Sequence, residues 1–87
     1  MQKFRKKPVV IEAIQWDGTG DTFSHLLDEG MDGTFAHHEG LLCISTPEGL
    51  LTAHEGDWII KGIKGEFYPV KPGIFEQTYE KMEESDD

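Results

Sequence analysis

Four histidines, one cysteine and 17 carboxylates are the side chains able to carry chemistry in this sequence, and their spacing decides what chemistry that is. His37-His38, His54 and Cys43 invite a zinc reading. Adjacent strand residues point to opposite faces, so His37 and His38 share one ion only across a bulge. No Cys-x-x-Cys or His-Glu-x-x-His spacing occurs, and structural zinc wants four closed ligands. The simpler expectation is three partly exposed strand histidines and no metal. Ser45-Thr46 and Cys43 lie near histidines in sequence, without a nucleophile-elbow pattern around them. Glu12 and Glu66 can be drawn as an acid–base pair, as can many pairs in an acidic chain. Glu12, inside an apolar run, either pairs with one of the few lysines or faces water. No Walker-type phosphate loop is present, and the glycines stand where turns need positive φ. The expectation is a non-enzyme without a cofactor.

One segment concentrates the remaining chemistry. Gly56 to Pro72 interleaves Lys61, Lys64 and Lys71 with Trp58, Phe67 and Tyr68, and Phe75 and Tyr79 follow. Three lysines against the single Glu66 make a local basic focus. Aromatic faces for stacking and lysines for anionic groups suit a nucleotide or another small phosphorylated ligand. The competing reading makes the aromatics core and the lysines hairpin solubilisers that blunt an edge. The candidate ligand-binding residues are Trp16, Trp58, Lys61, Lys64, Tyr68 and Lys71. The lysines would meet phosphates, and Trp58, Tyr68 and Trp16 would stack on a base.

The whole chain sets the limits for that focus. Its 87 residues carry 8 basic and 17 acidic groups, a formal charge of −9. The length allows one small domain, placed at residues 1–80, with 81–87 a frayed acidic tail. Hydrophobic residues at 37% exclude a disordered chain. The net charge excludes a general nucleic-acid binder. All the basic residues except Lys81 fall in two blocks, Lys3–Lys7 and Lys61–Lys71, and none lies between Pro8 and Ile60. A domain this short has a thin core and usually adds a staple or an oligomer interface. Cys43 has no disulfide partner, which points to a homo-oligomer and a reducing compartment. The apolar run after the basic start is too short for an export signal, and no stretch reads as a membrane span. The expectation is cytoplasmic, without a membrane partner.

The elements that must position the focus follow from period and punctuation. Val9 to Trp16 reads as a strand, and Asp17-Gly18-Thr19-Gly20 as a turn. Asp21 or Thr22 caps a short helix with an apolar stripe of Phe23, Leu26 and Leu27, stopped by Gly30. From Thr34 onward, glycine-containing turns separate runs at Leu41–Thr46, Leu50–His54, Trp58–Lys61 and Phe67–Val70, the pattern of an antiparallel meander. Ile74–Lys81 is a last strand or a short helix. The expected fold is α+β, a twisted antiparallel sheet of about five or six strands with one short helix on a face.

Three segments also carry a resemblance. Lys7-Pro8-Val9-Val10-Ile11-Glu12-Ala13-Ile14-Gln15-Trp16, then Gly56-Asp57-Trp58-Ile59-Ile60-Lys61-Gly62 and Gly65-Glu66-Phe67-Tyr68-Pro69, resemble a group of small phage and prophage proteins. Their pattern continues through a Phe and a Tyr, matched by Phe75 and Tyr79. The later half is also similar, more loosely, to the domain family named for a Pro-Gly-Asp-Tyr-Gly motif, where this chain reads Glu55-Gly56-Asp57-Trp58-Ile59. Residues 17 to 40 match little, and no catalytic residue carries over. Phage provenance implies action by stoichiometric binding inside a host cell. The leading expectation is a phage protein that sequesters a small nucleotide-derived immune signal of the host. The alternatives are an acidic protein–protein inhibitor or DNA mimic working through the Glu12–Asp57 stretch, a virion accessory module, and a small hydrolase.

Overall fold

A computed structural model describes residues 1–3 and 11–80. Arg5, Lys6 and Lys7, the Pro8–Val10 start of the expected first strand, and the 81–87 tail lie outside the described residues. The order is β1 (Glu12–Gln15), α1 (Gly20–Asp28), β2 (Gly33–Ala36), β3 (Leu41–Thr46), β4 (Gly49–Ala53), β5 (Trp58–Lys61), β6 (Phe67–Val70) and α2 (Pro72–Thr78). The fold is α+β, but the strands form two antiparallel sheets of three, β1-β5-β6 and β2-β3-β4, instead of one sheet of five or six. Among the described residues, no helix is long and apolar enough to cross a membrane.

The sheet divides at residues 54–57. Gly56 takes φ +96°, and the Asp57 carboxylate accepts the His54 backbone N–H at 2.9 Å, so the chain leaves the plane of β4. The Trp16 N–H then donates to the Asp57 carbonyl at 2.7 Å, and the Gly56 N–H donates to the Trp16 carbonyl at 2.8 Å. These bonds bring β1 alongside β5, in register Glu12 to Lys61 and Ile14 to Ile59, and fill the place a continuing meander would give β4.

The space between the sheets and α1 holds the core. Trp16, Leu26, Met31, Leu42, Ile44, Ala53, Ile59 and Phe67 are buried there, with Ile14, Phe23 and Phe35 packed around them. The Trp16 ring meets Phe35 edge-on at 5.2 Å, and its Nε1–H donates to the Gly40 carbonyl at 2.7 Å. That bond matters because an unpaired indole N–H costs free energy once buried.

Helix α1 is capped two to three residues earlier than its sequence suggests. Thr19 is the cap: its Oγ1 accepts the Thr22 N–H, and the Asp17 carboxylate accepts from both the Thr19 N–H and Oγ1–H. Gly30, at φ +101°, ends it. Of the expected stripe, Leu26 is buried and Phe23 half-buried, but Leu27 lies exposed. Cys43 is only half-buried, because the alternation of β3 gives the core to Leu42 and Ile44. After Lys71-Pro72 the chain forms a helix, α2, with Pro72 in its first turn, where a missing N–H costs least.

Replacing Trp16 with Phe removes buried volume and strands the Gly40 carbonyl. The expected loss is about 2–4 kcal/mol in urea unfolding; a loss below about 1 kcal/mol contradicts the role given to this residue.

The hydrogen bonds from Thr19, then the Thr22 hydroxyl, hold the Asp17 carboxyl below its ordinary 3.8. Its stabilisation is therefore complete above the unfolded value and disappears as pH falls through the lower folded one. Between about pH 5 and about pH 2, an Asp17→Ala variant should lose less melting temperature than the native chain.

Candidate functional site

Strand alternation assigns the basic-aromatic segment to two opposite faces. In the β1-β5-β6 register, Lys61 stands beside Glu12 and Phe67, on the same face as Ile14 and Ile59. This is the core face, and Lys61 lies at its rim. Trp58, Ile60, Tyr68 and Val70 occupy the other, outer face. The six candidate residues consequently do not converge on one pocket.

On the core side, Lys61 reaches toward α1 and pairs with Glu29 at 3.5 Å, with its ammonium 5.9 Å above the Phe67 ring. Glu12 is exposed, with Lys61 opposite it in register but committed to Glu29. A cavity of about 90 Å³ opens here, walled by Glu12, His25, Glu29 and Lys61 over Ile14 and Leu26. Ligand pockets generally run to about 300–1,000 Å³, so this one has room for a few waters and not for a nucleotide.

Trp16 is a correction to the expected stacking set. It is fully buried, with its ring edge against Phe35 and its N–H bound to Gly40, and has no face to offer a ligand. Trp58 is half-buried, and Phe75 of α2 lies parallel to its ring at 4.3 Å and 6°. Tyr79 continues the stack from Phe75 at 5.2 Å. Phe75 and Tyr79 are four residues apart and so share one side of the α2 turn. Trp58 thereby seats α2 against the sheet instead of presenting an open face.

Lys71 is tied to Asp57, whose carboxylate is buried and accepts from Lys71 Nζ at 3.3 Å as well as from the His54 N–H. The Gly-Asp-Trp segment therefore has a structural account. Gly56 provides the positive φ, Asp57 closes the turn, and Trp58 carries α2. Lys64 stands exposed in the turn between β5 and β6.

The larger concavity is a groove of about 760 Å³ on the outer face. Ile60, Ile63, Tyr68 and Val70 form its floor and one wall, and Thr78 and Tyr79 bound it on the α2 side. Glu66 reaches into it, folded back over Gly62 so closely that a Cβ at Gly62 would collide with its carboxylate. The turn beneath is fixed by Gly62 N–H to the Glu66 carbonyl at 2.7 Å and by Gly65 at φ +86°. Burial, then the Glu48 and Glu66 charges, push the Tyr68 hydroxyl above its ordinary 10.0. Of the groove lining the sequence-derived set holds only Tyr68; Glu66 and Tyr79 are among the residues it missed. The four-residue spacing of Phe75 and Tyr79 was the available signal for the second. The fold-back of Glu66 depends on turn geometry that no spacing reveals.

The histidines bring no metal centre together. His37 and His38 lie in the β2–β3 turn, not in a strand, with rings perpendicular at 6.2 Å. Among the described residues, no three metal-ligating groups converge. Comparison with known protein families, curated proteins and solved structures finds no match.

Asp57→Ala leaves the His54 N–H without its acceptor, with an expected cost of about 1–3 kcal/mol. Lys71→Ala removes only the exposed partner and should cost under about 1 kcal/mol. Equal costs in denaturant titration would contradict the assignment of Asp57 as the turn's organising group.

Proposed function

We propose that this chain is a non-catalytic, phage-encoded binder that sequesters a small nucleotide-derived anion in the cytosol of its host. The site of this reading is the outer groove. A base lies against Tyr68 and Tyr79, its exocyclic amine donates to Glu66, and its phosphates extend toward Lys64. The observation that carries the reading is the coincidence, in one open groove, of two tyrosine rings with an acceptor carboxylate. Acidic side chains accept from the amino groups of bases, as they do from cytosine N4, whereas they repel phosphate. Glu66 beside Tyr68 thus orients the ligand, base inward and anion outward. Lys61 does not take part, because its ammonium serves Glu29 on the opposite face.

A second reading is favoured by a separate observation. Of the carboxylates between Glu12 and Asp57, Asp57 alone is buried, and the others form an exposed acidic surface without one Lys or Arg in that stretch. Such a surface suits a basic protein partner or imitation of a nucleic acid, and association through it would be lost at modest salt.

The deciding experiment is a thermal-shift panel of cyclic dinucleotides and ADP-ribose-type ligands on the pure protein. A stabilising hit is expected, weakened about tenfold or more in Kd by Tyr68→Ala or Glu66→Gln and little changed by Lys61→Ala. No shift with any ligand, or equal dependence on Lys61, would overturn the reading.

A further inference from the structure

Strand β4 has a free edge: it pairs only with β3, and among the described residues nothing hydrogen-bonds to its other side. Both of its leucines are exposed, Leu50 at 72% and Leu51 at 37%. Folded proteins usually blunt such an edge with a lysine, a proline or a cover. The other edges of this molecule follow that practice. Strand β6 carries Pro69, β1 opens on Glu12, and α1 packs over β2 through Phe23 on Phe35. The β4 sequence, Gly-Leu-Leu-Thr-Ala, has neither lysine nor proline, and although β6 approaches β4, Leu50, Leu51 and Thr52 remain exposed. We infer that the β4 edge is a self-association surface, and that two copies of this chain pair β4 to β4 antiparallel about a twofold axis at Leu51.

The direction of the backbone groups supports this register. The Ser45 N–H donates to the Asp32 carbonyl, so the odd-numbered residues of β3 bond toward β2 and the even-numbered ones toward β4. Leu42, Ile44 and Thr46 are therefore bonded to Ala53, Leu51 and Gly49. The backbone groups of Leu50 and Thr52 are left pointing out of the sheet. With the axis at Leu51, Leu50 of one copy exchanges both its N–H and its C=O bond with Thr52 of the other, and the reverse pair does the same. The whole length of β4 is used, and each free donor meets an acceptor. A register centred on Leu50 or Thr52 leaves one end of β4 unpaired.

The side chains agree with the backbone. Leu51 meets its own copy across the axis as a non-hydrogen-bonded pair, where side chains approach most closely. Leu50 is covered by Thr52 of the second copy. Glu48 falls opposite His54 of the second copy, a carboxylate acceptor beside an imidazole donor, so the strand ends do not set acid against acid. This matters in a chain of charge −9, whose copies repel over most of their surface. On the solvent side, the β4 neighbours Cys43 and Ser45 are also uncharged. The pairing joins two sheets into one continuous sheet of twice the width and is independent of what the outer groove binds.

Sedimentation equilibrium of the full chain tests the pairing. A reversible dimer is expected, and Thr52→Pro, which removes an outward N–H that β3 does not use, should weaken it about tenfold or more with unchanged circular dichroism. Ile63→Lys, at an exposed position in the turn between β5 and β6, should leave it intact. In a Cys43→Ser background, Leu51→Cys should cross-link copies under mild oxidation far faster than Thr52→Cys. That pair of variants reads the register even if the proline variant fails to fold. A chain that stays monomeric at millimolar concentration, or cross-linking no faster at residue 51 than at residue 52, would overturn the inference.

Discussion

Trp16 ties together three parts of the chain distant in sequence, and both sheets take their relation from it. Its backbone pairs with Gly56 and Asp57, its indole N–H holds the Gly40 carbonyl, and its ring edge meets Phe35. Through Phe35 the contact passes to Phe23 and so to α1. A small domain buries little apolar surface, so one large side chain supplies a large share of the core and must also satisfy its polar atom. That requirement fixes the β2–β3 turn against the end of β1. It also places β1 beside β5, so β4 is left at the edge of the other sheet.

The same partition separates the chemistry of the surface. The core face of β1-β5-β6 closes on α1, and there Lys61 is neutralised by Glu29 above a cavity too small for an organic ligand. The outer face stays open, held by the Trp58–Phe75–Tyr79 stack that anchors a helix burying none of its own residues. Ion pairing thus consumes two of the three lysines of the basic segment, Lys61 with Glu29 and Lys71 with Asp57. Local positive charge in sequence is consequently a poor measure of the positive charge a ligand would meet.

Much of the local structure was legible from residue order. The runs Leu41–Thr46, Trp58–Lys61 and Phe67–Val70 are strands with those bounds, and Gly30 ends α1, because glycine turns and β-branched runs act locally. The division into two sheets was not legible. It depends on bonds between Trp16 and Gly56-Asp57, some 40 residues apart, which period and punctuation do not encode. Trp16 itself reads equally well as a stacking platform or as core, since its type suits both. Its burial follows only from the arrangement of strands. For Lys61 the alternation rule already implied a face opposite to Ile60, yet which face would be the core depended on the pairing with β1. Glu66 entered the groove through a tight turn whose fold-back no sequence spacing announces.

The central functional claim is that ligand recognition belongs to the outer face and not to the lysine-bearing cavity under α1. An amide-resolved NMR titration with the strongest ligand from the nucleotide panel tests this most directly. The groove account expects saturable shifts confined to Ile60, Gly62–Val70 and Thr78–Tyr79, with α1 and the Glu12–Ile14 amides unmoved. Shifts centred on His25, Glu29 and Lys61, or spread along the acidic α1 surface, would contradict it.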